Sequence, residues 1–479
     1  MRRLKQLGKD SLVYGLGSIL AKSLGFFLLP IYTRIFSPAE YGTIEMLVVI
    51  SSFLSSILVM GMDSAQSFYF FKEKTAGKQQ QKALVTAILQ WRVTWGLGIV
   101  LIATLCSPLL NNWLFDGLLG WQFFALAFAG ALFSTVMSQS AEVFRLTYKP
   151  WPFVIITTTS TVLSASFILM IVIFFQQGII GYFYGIVLGS LCSAVLGWYW
   201  AREYLCFKKL YIDMWPKLLR FGLPLVPAGM GMYVMNTTDR WFIQHYHGVD
   251  ALGLYAVAAK FALLLALVIE TFRKAWWPIA MDAMHSDDGP ETFRMIANLF
   301  IGLGVSGIIF LTLLSPTLID WFTDARYHSA WNIIGILAWQ SLFYGLFLVI
   351  SAGIWKVEKT HLMIYLMLIA AAINISLNYM LVPEWGNIGA ALSTSISFLC
   401  WVIIAVILSE KLWPVKFQFA LNFFQLVIGA SVVYWLIEFA ETSSIEAKIS
   451  VSLVAVLLQI AILLGRVPKI LSIKSQIFK

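Results

Sequence analysis

Long apolar runs broken by short polar segments recur from one end of the chain to the other. A helix that crosses the hydrocarbon core of a bilayer needs about 20 mostly apolar residues. Fourteen segments meet that length: roughly 11–35, 42–66, 83–107, 120–141, 152–175, 179–201, 217–240, 251–272, 293–316, 331–354, 361–382, 386–409, 418–438 and 446–465. The pattern predicts an all-α polytopic membrane protein with about 14 transmembrane helices, since a helix satisfies its own backbone in lipid. The largest connection, about 273–292, carries Asp282, Asp287, Asp288 and Glu291 and leaves no room for a soluble catalytic domain.

Two stretches recur in one register. Leu105–Phe115 (LCSPLLNNWLF) and Leu313–Thr323 (LLSPTLIDWFT) share Leu105/Leu313, Ser107/Ser315, Pro108/Pro316, Leu110/Leu318 and Trp113/Trp321. Gly178–Cys192 and Gly386–Cys400 share Gly178/Gly386, Ile180/Ile388, Gly181/Gly389, Leu191/Leu399 and Cys192/Cys400 at the same offset of 208 residues. That offset carries span 1 onto span 7. Six spans return the chain to its starting side, so the halves are expected as parallel repeats related by an axis along the membrane normal. Tyr14-Gly15-Leu16 and Phe221-Gly222-Leu223 agree, and Gly42 matches Gly253 less closely. The expected organisation is an N-terminal lobe over 1–201, a cytoplasmic linker over 202–216, a C-terminal lobe over 217–409, and an appended helix pair with a tail over 410–479. Ser-Pro is read as the end of spans 3 and 9, and Trp113 and Trp321 as interfacial anchors.

Composition agrees: 60% of residues are hydrophobic and 12% charged, against about 25% charged in soluble domains. The net charge of +9 is explained by position. With both termini in the cytoplasm, 26 of the 33 Lys and Arg residues fall on the cytoplasmic side and only Arg34, Arg240, Arg326 and Lys448 on the other. The charge is therefore a topology signal, and a nucleic-acid partner is not needed. The opening run is interrupted by Lys22 and lacks a small-residue cleavage site, so it reads as a first span and not as a signal peptide. Cys106, Cys192, Cys206 and Cys400 show neither disulfide nor metal spacing. No cofactor or metal is expected, and His245 and His247 alone are a weak metal pattern.

Ionisable residues at membrane depth are costly and mark function or pairing. Lys22 lies midway through span 1, on a face with Gly15, Ser18 and Gly25. Lys260 lies deep in span 8, and Arg92 deep in span 3 after Gln90. Each is a candidate cavity cation for an anionic substrate; snorkelling or pairing is the alternative. Span 7 aligns Gly222, Val226, Gly229, Tyr233, Asn236 and Arg240 on one face, with Pro224 and Pro227 inviting a kink. That face is either a moving part or a close packing surface. Asp239 and Arg240 form a gate or a local pair. Glu45, Asp63 and Glu270 are candidate coupling carboxylates or solvated helix ends. Asn236 is a further candidate sugar contact, as are Asn374 and Asn378, one turn apart, for which interhelical bonding is the alternative.

The stretches YGLGSILAKSLGFFLLPIYTRIFSPAEYG (Tyr14–Gly42), FGLPLVPAGMGMYVMNTTDRWFI (Phe221–Ile243) and WGNIGAAL (Trp385–Leu392) resemble the polysaccharide-transport branch of the multidrug/oligosaccharidyl-lipid/polysaccharide exporter superfamily, which includes Wzx-type O-antigen and capsule repeat-unit flippases. The resemblance spans nearly the whole chain. It implies a flippase, not an enzyme, that moves undecaprenyl-diphosphate-linked oligosaccharide from the cytoplasmic to the periplasmic leaflet of a bacterial inner membrane. Two lobes would rock around a cationic cavity. Related lipid II flippases carry basic residues on helices 1, 2 and 8. Lys22 and Lys260 are the counterparts on helices 1 and 8, whereas span 2 has none, and Arg92 is a substitute. The implied partners are the lipid-linked oligosaccharide, the bilayer, and a glycan polymerase or other assembly proteins.

The physical need is clear without the name. A sugar headgroup loses its hydration in hydrocarbon, and a cavity replaces those hydrogen bonds while a few buried cations attract the diphosphate. Spans 13 and 14 are expected to form a groove for the lipid tail. The rival readings are an ion-coupled multidrug or small-molecule antiporter of the same superfamily, a membrane-embedded glycan polymerase or ligase, and a non-transporting scaffold.

Overall fold

A computed structural model describes Gly17 and residues 23–72, 77–439 and 442–464. Lys22 and both termini lie outside the described residues. The described chain is helical and contains no strand. Its helices are α1 (Leu29–Ile35), α2 (Pro38–Val59), α3 (Met62–Lys72), α4 (Lys78–Leu105), α5 (Ser107–Phe115), α6 (Trp121–Leu146), α7 (Pro150–Leu169) and α8 (Gly178–Trp200). They continue with α9 (Trp215–Gly222), α10 (Val226–Ala283), α11 (Gly289–Phe322), α12 (Trp331–Ile350), α13 (Ala352–Lys356), α14 (Leu362–Leu412), α15 (Phe419–Glu438) and α16 (Ile445–Leu464).

Among the described residues, eleven helical runs are long and apolar enough to cross a membrane. Two of them contain a non-helical glycine. Gly248 (φ 76°, ψ −175°) breaks α10 between expected spans 7 and 8. Gly386 (φ 51°, ψ −129°) breaks α14 between spans 11 and 12. Ser23–Ile35 is the described part of span 1. The set is compatible with fourteen spans. These two connections are shorter than expected because a glycine at positive φ reverses the chain with one residue.

Several expected boundaries move, for identifiable reasons. Span 2 begins at Pro38, where Ser37 and Glu40 form a reciprocal capping box. It breaks at Met60 and Gly61, both left-handed, before α3. The expected end of span 3 holds within two residues, since α4 stops at Leu105, and Ser107-Pro108 then opens α5 with proline in the first turn, where its missing N–H is harmless. Ser315-Pro316 lies inside α11. There the Ser315 hydroxyl donates to Thr312 O at 2.8 Å, satisfying the carbonyl that the proline nitrogen cannot. Trp113 and Trp321 are both exposed.

The chain divides into two compact units, residues 1–233 with 248–253, and 234–247 with 254–479. In unit 1, α8 packs along both α6 and α7, and α6 also meets α2 and α4. Gly185, Gly189, Ser193 and Gly197 set small residues at every fourth position of α8. A Cβ at Gly185 would come within 2.5 Å of Ile168 N, and one at Gly189 within 2.5 Å of Ser164 N, so only this stripe allows so close a crossing. In unit 2, α11 packs on α12, α15 and α16, and α12 packs on α14.

The segment expected as a linker is fastened to α4 within unit 1. The Gln90 side chain accepts from Tyr211 N (2.8 Å) and donates to Lys209 O (3.0 Å). Thr86 Oγ1 accepts from Cys206 N (2.8 Å), and Trp215 Nε1 donates to Ala87 O (3.0 Å). Leu218 of α9 is buried in a cluster with Met62, Leu84, Ile88 and Trp91. Gln90→Ala leaves a buried backbone N–H unsatisfied, at a cost of about 1–3 kcal/mol. Tryptic cleavage after Lys208 and Lys209 is expected to accelerate several-fold; an unchanged rate would contradict the fastening.

Candidate functional site

In unit 1 the break at Met60–Gly61 turns α3 so that Asp63 stands in its first turn, where a carboxylate suits the helix dipole. Asp63 lines a cleft of about 1060 Å³ together with Ser67, Phe68, Ser138, Glu142, Arg145, Thr157 and Phe221. Arg92 lies behind Asp63 and outside the lining. It is fully buried, pairs with Asp63 through Nη2, and donates from Nη1 to Thr135 O at 2.6 Å. The structure thus brings two separately expected residues together. The span buries the guanidinium among helices, and the half-exposed carboxylate faces the cleft. Beside them Arg145 grips Glu142 through Nε (2.7 Å) and Nη2 (2.5 Å), and Ser67 Oγ donates to Glu142 at 3.0 Å. Glu142, Arg145 and Ser67 were not expected. Their one sequence signal is the i,i+3 spacing of the charged pair.

In unit 2 the Asp239 carboxylate is buried. It accepts from Arg240 N (2.9 Å), Arg240 Nη1 (3.1 Å) and Thr394 Oγ1 (3.3 Å), and from the Tyr255 hydroxyl. The Arg240 guanidinium lies 5.7 Å from the Tyr255 ring centroid and donates to Asn236 O at 2.8 Å. Asn236 Oδ1 accepts from Gln340 at 2.7 Å. The expected Asp239–Arg240 pairing is therefore present, and Tyr255 and Thr394, far along the sequence, complete it. Asn374 and Asn378 are buried. Asn374 donates to Ser397 Oγ at 3.3 Å, and Asn378 donates to Asn374 O at 2.9 Å. Asn374 thus reaches across the Gly386 break to the other arm of α14, whereas Asn378 bonds within its own helix.

The remaining candidates are dispersed. Lys260 is half-buried on the second arm of α10, in unit 2. Glu45 is buried on α2, in unit 1. Glu270 pairs with Arg273 at 2.7 Å, one turn away. His247 Nε2 lies 2.7 Å from Val382 O, which occupies that nitrogen. An apolar groove of about 710 Å³ runs along unit 2, lined by Trp339 and Phe343 of α12, Ile396 and Leu399 of α14, and Phe423 and Tyr434 of α15. Spans 13 and 14 were expected to make such a groove. Span 13 contributes through α15, but its other walls are α12 and α14, because α16 packs on α11.

Two helical units and eleven apolar membrane-length helical runs among the described residues define a polytopic membrane protein. The profile of the polysaccharide biosynthesis protein family matches residues 7–284, more than half of the chain, and the chain belongs to that family. The MatE profile matches residues 224–380. Among curated relatives, the Lsg locus putative protein 1 of Haemophilus influenzae is 25% identical over 284 residues, 58% of this chain and 66% of the relative. An uncharacterized membrane protein of Haemophilus influenzae is 22% identical over 282 residues, 58% of this chain and 65% of that protein. The chain thus spans just under two thirds of the length of these relatives. The fold is that of the lipid II flippase MurJ in an inward closed conformation (TM-score 0.72, 15% identity, 94% of this chain and 98% of that one). It is also that of an inward-facing multidrug resistance MATE family transporter of the MOP superfamily (TM-score 0.63, 12% identity, 82% and 95%).

Proposed function

We propose that this protein is a flippase for lipid-linked oligosaccharide. It carries undecaprenyl-diphosphate-linked repeat units of O-antigen, capsule or a related glycan from the cytoplasmic to the periplasmic leaflet of a bacterial inner membrane, with both termini in the cytoplasm. The observation that carries this reading is membership of the polysaccharide biosynthesis family in a chain whose fold, over 94% of its length, is that of a lipid II flippase. The chemistry of the two units supports it. A cleft with hydroxyls, paired charges and aromatic rings suits a sugar headgroup, and an apolar groove suits an isoprenoid tail. Lobes 1–201 and 217–409 alternate in access, with 410–479 appended. Lys22 and Lys260 supply the attraction for diphosphate, the guanidinium of Arg92 being neutralised by Asp63 behind the cleft wall, no bond of the cargo is broken, and a glycan polymerase receives the product.

Lys22→Ala and Lys260→Ala are each expected to lower glycan export about tenfold at unchanged protein abundance, the loss of about 1.4 kcal/mol of binding. Wild-type export by both variants would remove the cationic-cavity account. A second reading, an ion-coupled antiporter, draws on the MatE match and on the buried Asp239 carboxylate. It predicts export of small cationic compounds that depends on an ion gradient.

A further inference from the structure

The polar wall of the unit 1 cleft spends its donors inside the protein and turns acceptors toward a ligand. Arg92, behind the wall, bonds to Oδ1 of Asp63. Oδ2 of that half-exposed carboxylate accepts from no described residue, and Asp63 lines the cleft. Glu142 Oε1 accepts from Ser67 (3.0 Å) and from Arg145 Nη2 (2.5 Å), and Oε2 from Arg145 Nε (2.7 Å). A carboxylate has about four lone-pair sites, so Glu142 keeps one. The lining hydroxyls follow the same rule. Ser67 gives its proton to Glu142, Ser138 to Thr135 O (2.8 Å) and Thr157 to Phe153 O (3.0 Å), which leaves their oxygens as acceptors. Opposite in character is the stacked pair Phe68 and Phe221, with centroids 4.5 Å apart and planes 19° apart.

We propose that this cleft reads the saccharide by hydrogen-bond polarity: it admits a sugar that offers hydroxyl or N–H donors to Asp63 and Glu142, and turns away one that sets a carboxylate there. A sugar hydroxyl or acetamido N–H against Asp63 Oδ2 makes a charge-assisted hydrogen bond. A uronate carboxylate in the same place brings only acceptors to acceptors, so both groups lose hydration with nothing in return. Arg92 does not change that sign, because its guanidinium is committed to the far oxygen. Two other cations line the cleft. Arg145 is bound to Glu142 by two hydrogen bonds. Lys72 stands over the Tyr69 ring at 5.9 Å, nine residues beyond Asp63 on α3, roughly 13 Å by helical rise. The Phe68–Phe221 pair supplies aromatic surface for the C–H face of a sugar ring. The cleft volume of about 1060 Å³ lies at the upper end of ligand pockets, room for more than one ring. This inference rests on the proposed function and adds which glycan chemistry the flippase admits.

The test is scintillation-proximity binding to the purified full chain with three radiolabelled probes: farnesyl diphosphate, farnesyl-diphosphate-linked N-acetylglucosamine and farnesyl-diphosphate-linked galacturonate. The N-acetylglucosamine probe is expected to bind about tenfold more tightly than the bare diphosphate, the gain of one charge-assisted hydrogen bond, and the galacturonate probe no more tightly than the bare one. In Asp63→Asn the amide oxygen stays on Arg92 and the amide N–H turns to the cleft, so the preference is expected to shift toward galacturonate by about tenfold while farnesyl diphosphate binds within twofold of wild type. A merely structural role for Asp63 would not invert a preference. Asp63→Asn also removes the counter-charge of a buried guanidinium, so Glu142→Gln is the second variant: its partner Arg145 is exposed and hydrates, and the gain from N-acetylglucosamine is expected to shrink at least threefold. Wild-type protein that gains nothing from N-acetylglucosamine, or that binds both glycan probes equally, would overturn the proposal, as would folded variants that keep the wild-type preference within twofold. Wild-type protein that shows the preference but fails to translocate lipid-linked oligosaccharide would instead remove the flippase reading and leave the saccharide site standing.

Discussion

Gly42→Ala is expected to destabilise the protein by about 3 kcal/mol or more, the upper end of overpacking effects. A Cβ at Gly42 would sit 1.8 Å from the carbonyl oxygen of Val249, and one at Gly253 would sit 2.0 Å from that of Pro38. Both obstacles are backbone, so no rotamer change relieves the clash. The start of α2 and residues 248–253 cross here within unit 1. Gly98→Ala is the matched control: nothing lies within 4 Å of its Cβ, and a helix-interior glycine gains about 0.8–1.0 kcal/mol from alanine. Thermal unfolding in detergent compares the two. A Gly42→Ala protein as stable as Gly98→Ala would contradict the close crossing.

Asp63→Ala is expected to cost about 3–5 kcal/mol, because it strands a buried guanidinium without its counter-charge. Arg92→Met is expected to cost less, about 1–3 kcal/mol. The asymmetry follows from burial. Arg92 is 0% exposed, whereas the Asp63 side chain is 47% exposed and hydrates when its partner is removed. Arg92 also donates to Thr135 O, but that carbonyl keeps the Ser138 hydroxyl at 2.8 Å when Arg92 is lost. Denaturation in mixed micelles measures both. A larger loss for Arg92→Met than for Asp63→Ala would reverse the assignment of which charge is stranded.

The spans were legible because hydropathy is a local property, and the 208-residue repeat because it needs only alignment of the chain with itself. Their edges were not. Gly248 and Gly386 replace loops by single residues at positive φ, and apolar content does not reveal a one-residue reversal. Met60–Gly61 breaks an otherwise apolar run for the same reason. Ser-Pro misled in one copy: α4 does end at Leu105, just before Ser107-Pro108, whereas at 316 the helix runs on because a serine hydroxyl stands in for the missing N–H. The site was legible as residue types and not as partners. Arg92 and Asp63 each stood out by depth, yet their pairing is a tertiary fact. Asp239 stood out beside Arg240, whereas Tyr255 and Thr394 join it from 16 and 155 residues away. Gln90 was noticed only as a neighbour of Arg92. Its grip on Tyr211 and Lys209 is what turns an expected linker into part of unit 1.

The most direct test of the central claim is leaflet access in liposomes that hold the purified protein and fluorescent undecaprenyl-diphosphate-linked oligosaccharide. The lipid is placed in one leaflet, and a glycan-modifying reagent is confined to the other side. The flippase account predicts that cargo becomes accessible with its glycan length and linkage unchanged, and that protein-free liposomes keep it protected. Protection equal to that of protein-free liposomes, or accessible cargo whose glycan has been lengthened or transferred, would contradict it.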